Sequence, residues 1–136
     1  MADEVRKVDY YKALIADRPG EGMRVLSILA DAGVNLLAFT GFPRGRKAQV
    51  DFVPEDAAAF RKAARQAGLA VTKKTAFLIQ GDDQPGVVAE TASRLAAAGI
   101  NVTAMDAVAA GGGRYGAILW VRSADVRKAA RALGAA

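Results

Sequence analysis

The sequence predicts an α+β protein of two tandem βαββαβ units. Each has an antiparallel sheet with its helices on one face, and the second unit lacks its last strand. Three observations carry this. The chain repeats itself at an offset of 66 residues. Within each repeat, turn residues divide the apolar segments in the same order. The length of 136 residues fits one ordinary domain or two half-size units sharing a core.

The repeat is read most clearly at Asp17-Arg18-Pro19-Gly20 and Asp83-Gln84-Pro85-Gly86. The same offset carries Leu29 onto Leu95, Gly33 onto Gly99 and Asn35 onto Asn101. It also carries Arg61-Lys62-Ala63-Ala64-Arg65 onto Arg127-Lys128-Ala129-Ala130-Arg131, and Gly68 onto Gly134. The repeats are placed at residues 8–72 and 73–136.

Each repeat opens on an apolar strand, residues 10–16 and 75–80. The D-x-P-G turn ends it, because proline fixes φ and glycine permits a tight backbone. A helix is expected over 21–32 and over 87–98, with Leu26, Leu29 and Gly33, or Ala92, Leu95 and Gly99, on one face. Gly33 and Gly99 stand where a C-terminal cap belongs. Second strands begin at Val34 and Ile100. Hairpin tips come next at Pro43–Lys47 and Gly111–Arg114, then third strands at 48–53 and 117–121. Glu55-Asp56 and Ser123-Ala124-Asp125 signal second helices. Leu69-Ala70-Val71 reads as a fourth strand in the first repeat, and the second repeat has no counterpart.

Hydrophobic residues make up 52% of the chain and charged ones 24%, which suits a packed core and argues against disorder. The chain has neither cysteine nor histidine. That removes disulfides, thiolate chemistry, and the commonest general base and transition-metal ligand. No nucleophile–base pair is visible, so an enzyme is not expected, nor is a cofactor or metal site. The N-terminus is charged without an apolar h-region, and no stretch approaches ~18 apolar residues, so a soluble, cytoplasmic protein is expected.

The pattern D-x-P-G, an apolar helix, then G-[VI]-N-[LV] resembles the ACT domain family, ferredoxin-like βαββαβ regulatory modules. The resemblance spans about Tyr10 to Gly134, twice over. It is closest to free-standing tandem ACT proteins without a catalytic domain. It implies a small ligand, typically an amino acid, bound between paired domains at the first turn and the start of the second strand. Carried onto this chain, the candidates are Asp83, Gln84, Pro85, Gly86, Val87, Val88 and Asn101 in the second copy. In the first copy they are Asp17, Arg18, Gly20, Glu21, Gly22 and Asn35.

The physical case is that each turn leads into a helix N-terminus, where unpaired N–H groups and the helix dipole favour a carboxylate. Asparagine could meet a ligand amine or carboxylate, though turn and cap geometry alone also accounts for these glycines and asparagines. The copies differ: Gly20-Glu21-Gly22 sets a negative charge where Gly86-Val87-Val88 has none. The second loop is therefore expected to be the better carboxylate site.

The expected partners are an amino acid or similar small ligand, a second copy of the chain and a metabolic enzyme, with no membrane. The unpaired edge of the incomplete second unit invites that second copy. The net charge of +5, and Arg44, Arg46 and Lys47 at one tip near Phe42, keep a nucleic-acid module as an alternative. No K/R-G-F/Y-G/A-F-V-x-F/Y run supports it. A purely protein-interaction module is the other alternative.

Overall fold

A computed structural model describes residues 3–135. The elements in chain order are β1 (Glu4–Ala16), α1 (Glu21–Asp31), β2 (Leu36–Arg44), β3 (Lys47–Pro54), α2 (Ala57–Gln66) and β4 (Thr72–Asp82). They continue with α3 (Val87–Ala97), β5 (Val102–Gly111), β6 (Arg114–Val121), a short 3₁₀ turn (Ser123–Asp125) and α4 (Val126–Leu133). Among the described residues no helix is long and apolar enough to cross a membrane.

The chain divides into two compact units. One is Asp9–Lys74; the other joins the described residues up to Val8 with those from Thr75 on. In the first-copy unit, β2 pairs with β3 and β3 with β1, all antiparallel. In the second-copy unit, β5 pairs with β6 and β6 with β4, again antiparallel. This is the α+β, helix-on-sheet class expected from the repeat.

The strands at the fourth position differ from the expectation. Leu69-Ala70-Val71 is not a strand. Instead β4 begins at Thr72 and runs unbroken into the second copy, because no glycine, proline or asparagine interrupts Thr72–Leu78. The second-copy unit does not lack an edge strand either. Residues 4–8 of β1 belong to it and lie next to β4 in the strand order. The charged N-terminus conceals this strand, but Val5 packs against the second-copy core clusters and anchors it.

Local chemistry explains the remaining boundaries. Helix α2 starts at Asp56, whose side chain accepts from the Ala59 N–H at 3.1 Å. Helix α1 ends in a Schellman motif: the Val34 N–H donates to the Leu29 carbonyl at 2.9 Å and Gly33 N–H to Ala30 at 3.0 Å. The counterpart bonds, Ile100 to Leu95 and Gly99 to Ala96, are both 2.9 Å. The motif requires a left-handed residue, and Gly33 and Gly99 supply it at φ 74° and 72°. The duplication is thus visible in backbone geometry as well as sequence.

Each unit has its own core. In the first copy, alternate residues Tyr11, Ala13 and Ile15 of β1 meet Val50 and Phe52 of β3 under Val25, Leu29 and Phe60 of the helices. The rings of Tyr11 and Phe52 lie 4.8 and 5.3 Å from that of Phe60. In the second copy, Phe77 and Leu119 of the sheet pack with Leu95, Ala129 and Leu133 of the helices.

Candidate functional site

The two D-x-P-G turns adopt one geometry. Gly20 and Gly86 are the N-caps of α1 and α3, both left-handed, at φ 85° and 87°. In each, the first helical N–H returns to the turn at 3.3 Å, Glu21 to the Arg18 carbonyl and Val87 to that of Gln84. No side chain caps either helix. The second-copy turn is also tied to the β5–β6 hairpin, since Asp83 N–H donates to the Gly113 carbonyl at 2.8 Å.

The turns differ at the first residue of the helix. Glu21 is only 8% exposed, although it opens a surface helix. Its carboxylate accepts from Arg24 Nε, one helical turn on, and from Arg18 Nη2 at 3.4 Å. Those arginines hold its pKa below the ordinary carboxylate value, with the Arg24 hydrogen bond the largest cause. Arg18 and Glu21 therefore satisfy one another. Gly22 is half-buried and Asp17 exposed beside them. In the second copy the uncharged Val87 replaces Glu21, and Asp83, Gln84, Pro85, Gly86 and Val88 are exposed; the acidic residue of the first turn is Glu90, which pairs with Arg94 at 2.9 Å.

The Glu21 arrangement has a pH consequence. A carboxyl whose pKa is lowered on folding stabilises the protein at neutral pH, and that contribution disappears as pH falls through the lowered value. Glu21→Gln should thus be less stable than the parent at pH 7. The gap should close at an acid pH below that lowered value. Paired urea titrations at the two pH values would measure it, and a gap independent of pH would refute the clamp.

Asn35 and Asn101 are exposed, and among the described residues neither side chain has a hydrogen-bond partner. They do not lie beside the turn of their own copy. Gly86 stands at the start of the 11-residue helix α3 and Asn101 just past its end, which puts them about 16 Å apart at 1.5 Å per residue. Gly20 and Asn35 are separated in the same way by α1, also 11 residues. No single small ligand can touch both members of either set within one copy.

The structure also shows features that the sequence does not announce. A cavity of about 170 Å³ lies in the second-copy unit, between the N-terminal strand, the first turns of α3 and the end of α4. Gln84 and Val87 of the expected turn line it, together with Asp3, Asp82 and Thr91. Tyr115 donates to Asp3 at 2.6 Å, and Arg114 pairs with Asp82 at 2.8 Å. Burial first, then the Asp3 carboxylate, push the Tyr115 phenol well above its ordinary pKa, so it stays a donor.

On β2–β3, Thr40 donates to Asp51 at 3.1 Å and Arg44 to Gln49 at 2.6 Å, with Gln49 and Asp51 both buried. Arg44, grouped by sequence with Arg46 and Lys47 as a basic tip, is therefore occupied within the sheet. Arg61 of α2 reaches the Tyr11 hydroxyl at 2.8 Å.

No protein-family model matches the chain, and no curated protein does. Solved structures do. Protein BT0572 from Bacteroides thetaiotaomicron superposes with a TM-score of 0.82 at 18% identity, covering 96% of this chain and 88% of that one. The ligand-free regulatory subunit of aspartate kinase from Thermus thermophilus gives 0.64 at 21% identity, covering 98% and 93%. The corresponding subunit from Thermus flavus gives 0.57 at 21% identity, covering 98% and 94%. At these identities the likeness is one of fold, and the chain carries the tandem ACT-type fold that its repeat implied.

Proposed function

We propose that the chain is a small-molecule sensing module that regulates a separate metabolic enzyme, with an amino acid as ligand. The observation that carries this reading is the placement of the paired site residues. The exposed turns and exposed asparagines sit at opposite ends of their helices, so a ligand site needs two copies, as in a regulatory dimer. The likeness of fold to regulatory subunits of aspartate kinase supports the same reading.

The second copy is the better site. The free N–H groups of α3 meet a ligand carboxylate, whereas Glu21 already occupies the equivalent place in the first copy. The partner is a second copy of this chain. The edge beside β4 is filled by residues 4–8, so the pairing edge is β5. Among the described residues its only neighbouring strand is β6, it is exposed along most of its length, and Asp106 is its one charge. A long edge with so little protection recruits another strand.

Thermal unfolding in the presence of each of the twenty amino acids tests the reading. A ligand at 100 times its Kd should stabilise the fold by about 2.7 kcal/mol. Gly86→Asp should abolish that shift, because it adds a carboxylate and a left-handed strain of about 1–2 kcal/mol. Gly20→Asp should leave the ligand shift in place. If no amino acid shifts the transition, the reading fails; if Gly20→Asp alone abolishes it, the copies are assigned the wrong way round.

A further inference from the structure

The 170 Å³ cavity in the second-copy unit has a counterpart that shows what is particular about it. In the first copy, a cavity of about 50 Å³ is lined by Arg24, Val25, Ile28 and Ala67. At the repeat offset these become Glu90, Thr91, Arg94 and Leu133, which line the larger cavity. The wall changes as well: Gly68 and Leu69 close the smaller one, and Asp3 and Val5 of the N-terminal strand close the larger. The first copy thus holds only a small void here, and in the second copy it is larger and carries carboxylates in its lining.

That polar side is built. Asp3 sits over Gly81, where a Cβ would stand 2.0 Å from its Oδ1, so only a glycine leaves room for the carboxylate. Tyr115 fixes the carboxylate from one side. Among the described residues no cation lies within ion-pair distance of Asp3, whereas Asp82 has Arg114 and Glu90 has Arg94. Thr91 is only 6% exposed, and its hydroxyl has just a long 3.5 Å contact to the Val87 carbonyl of its own helix. Its oxygen is left to accept a donor from the cavity. The lining also includes the apolar Val5, Val87 and Leu133, and the paired Glu90 and Arg94.

We propose that this cavity binds a short aliphatic amine. Its ammonium lies between Asp3, Asp82 and the Thr91 hydroxyl, and its chain lies against Val5, Val87 and Leu133. An ammonium offers three donors, which match the two carboxylates and the hydroxyl. A cavity of about 150 Å³ holds benzene, so this one accommodates about five to seven heavy atoms. The N-terminal strand forms one wall, so a bound amine holds that strand in place. The cavity shares Gln84 and Val87 with the turn proposed for the amino acid, but it recognises a cation through Asp3 rather than a carboxylate through the helix N-terminus, so a variant at Asp3 and a variant at Gly86 test the two readings separately.

The test is a backbone-amide NMR titration of the full chain with n-butylammonium chloride, and with sodium butyrate at matched ionic strength. The first has the size and charge that the cavity fits; the second has nearly the same shape and the opposite charge. Saturable shifts at Val5, Thr91 and Tyr115 with butylammonium are expected in about the millimolar range, with none for butyrate. Asp3→Asn keeps the shape and should weaken binding at least tenfold; Gly81→Ala should do the same by displacing Asp3. Both variants should keep the dispersed spectrum of the parent. The proposal is overturned if butylammonium does not saturate, if butyrate binds equally well, or if Asp3→Asn binds like the parent.

Discussion

Phe52→Ala is expected to remove about 3–5 kcal/mol of stability, a third or more of what a domain of this size usually has. Phe52 is fully buried at the centre of β3. It stands opposite Tyr11 on one neighbouring strand and Phe39 on the other. Its ring lies 5.3 Å from that of Phe60 on α2 and 5.4 Å from that of Phe39. Truncation would remove contacts to both strands and a helix at once, and rigid backbone on three sides prevents the space from collapsing. Phe42→Ala is the control. That ring is 45% exposed on β2, so its loss should cost no more than about 0.5 kcal/mol. Urea unfolding should show a lower midpoint for Phe52→Ala with an unchanged slope. Equal costs for the two variants would mean that the aromatic cluster is not what holds the first-copy unit together.

The repeat made most of this core legible in advance. The apolar strands at 10–16 and 48–53 and the helix face with Leu26 and Leu29 were read from the sequence, and the helix ends were marked by Gly33 and Gly99. The fourth strands were not legible, for a physical reason. Edge strands are short and carry charge to discourage unwanted pairing. Glu4–Val8 therefore reads as a solvated terminus, although Val5 packs against the core. The turns of the site were legible from glycine and proline, but the cavity was not. It depends on Asp3 meeting Gly81, Tyr115 and Thr91, which are between 78 and 112 residues away in the chain, and no local pattern encodes that meeting. The opposite placement of turn and asparagine was available from helix length alone, since 11 residues must separate the two by about 16 Å. Taken with the fold, that separation is the reason the proposed site is drawn from two chains.

Val108→Asp should convert the proposed dimer to monomer. The single charge on β5 excludes one register. A two-fold axis perpendicular to the sheet sets one residue of β5 opposite itself in the partner. Asp106 is excluded from that position, because like charges directly opposite are destabilising. With the axis at Ala107, Thr103 of one chain falls opposite Gly111 of the other, the last residue of β5, so Asn101 lies just past the partner's hairpin tip. Gly113 is the residue whose carbonyl holds the Asp83 turn. This register therefore brings Asn101 of each chain toward the hairpin tip that holds the proposed ligand turn of the other. It also sets Val108, 68% exposed in the single chain, opposite Asp106 of the partner subunit. Val108→Asp then creates two facing carboxylate pairs and removes two apolar contacts. The combined cost is about 2–4 kcal/mol, or a factor of about 30 to 1,000 in Kd. Val108→Lys makes the opposite prediction, since a lysine facing Asp106 retains the dimer. Light scattering across a concentration series separates the cases. If both variants dissociate alike, β5 pairs in another register; if neither does, β5 is not the dimer edge. In the predicted register Val108→Asp should also lose the amino-acid response, while unfolding of the isolated chain stays within about 0.5 kcal/mol of the parent, because sensing and dimerisation share one strand.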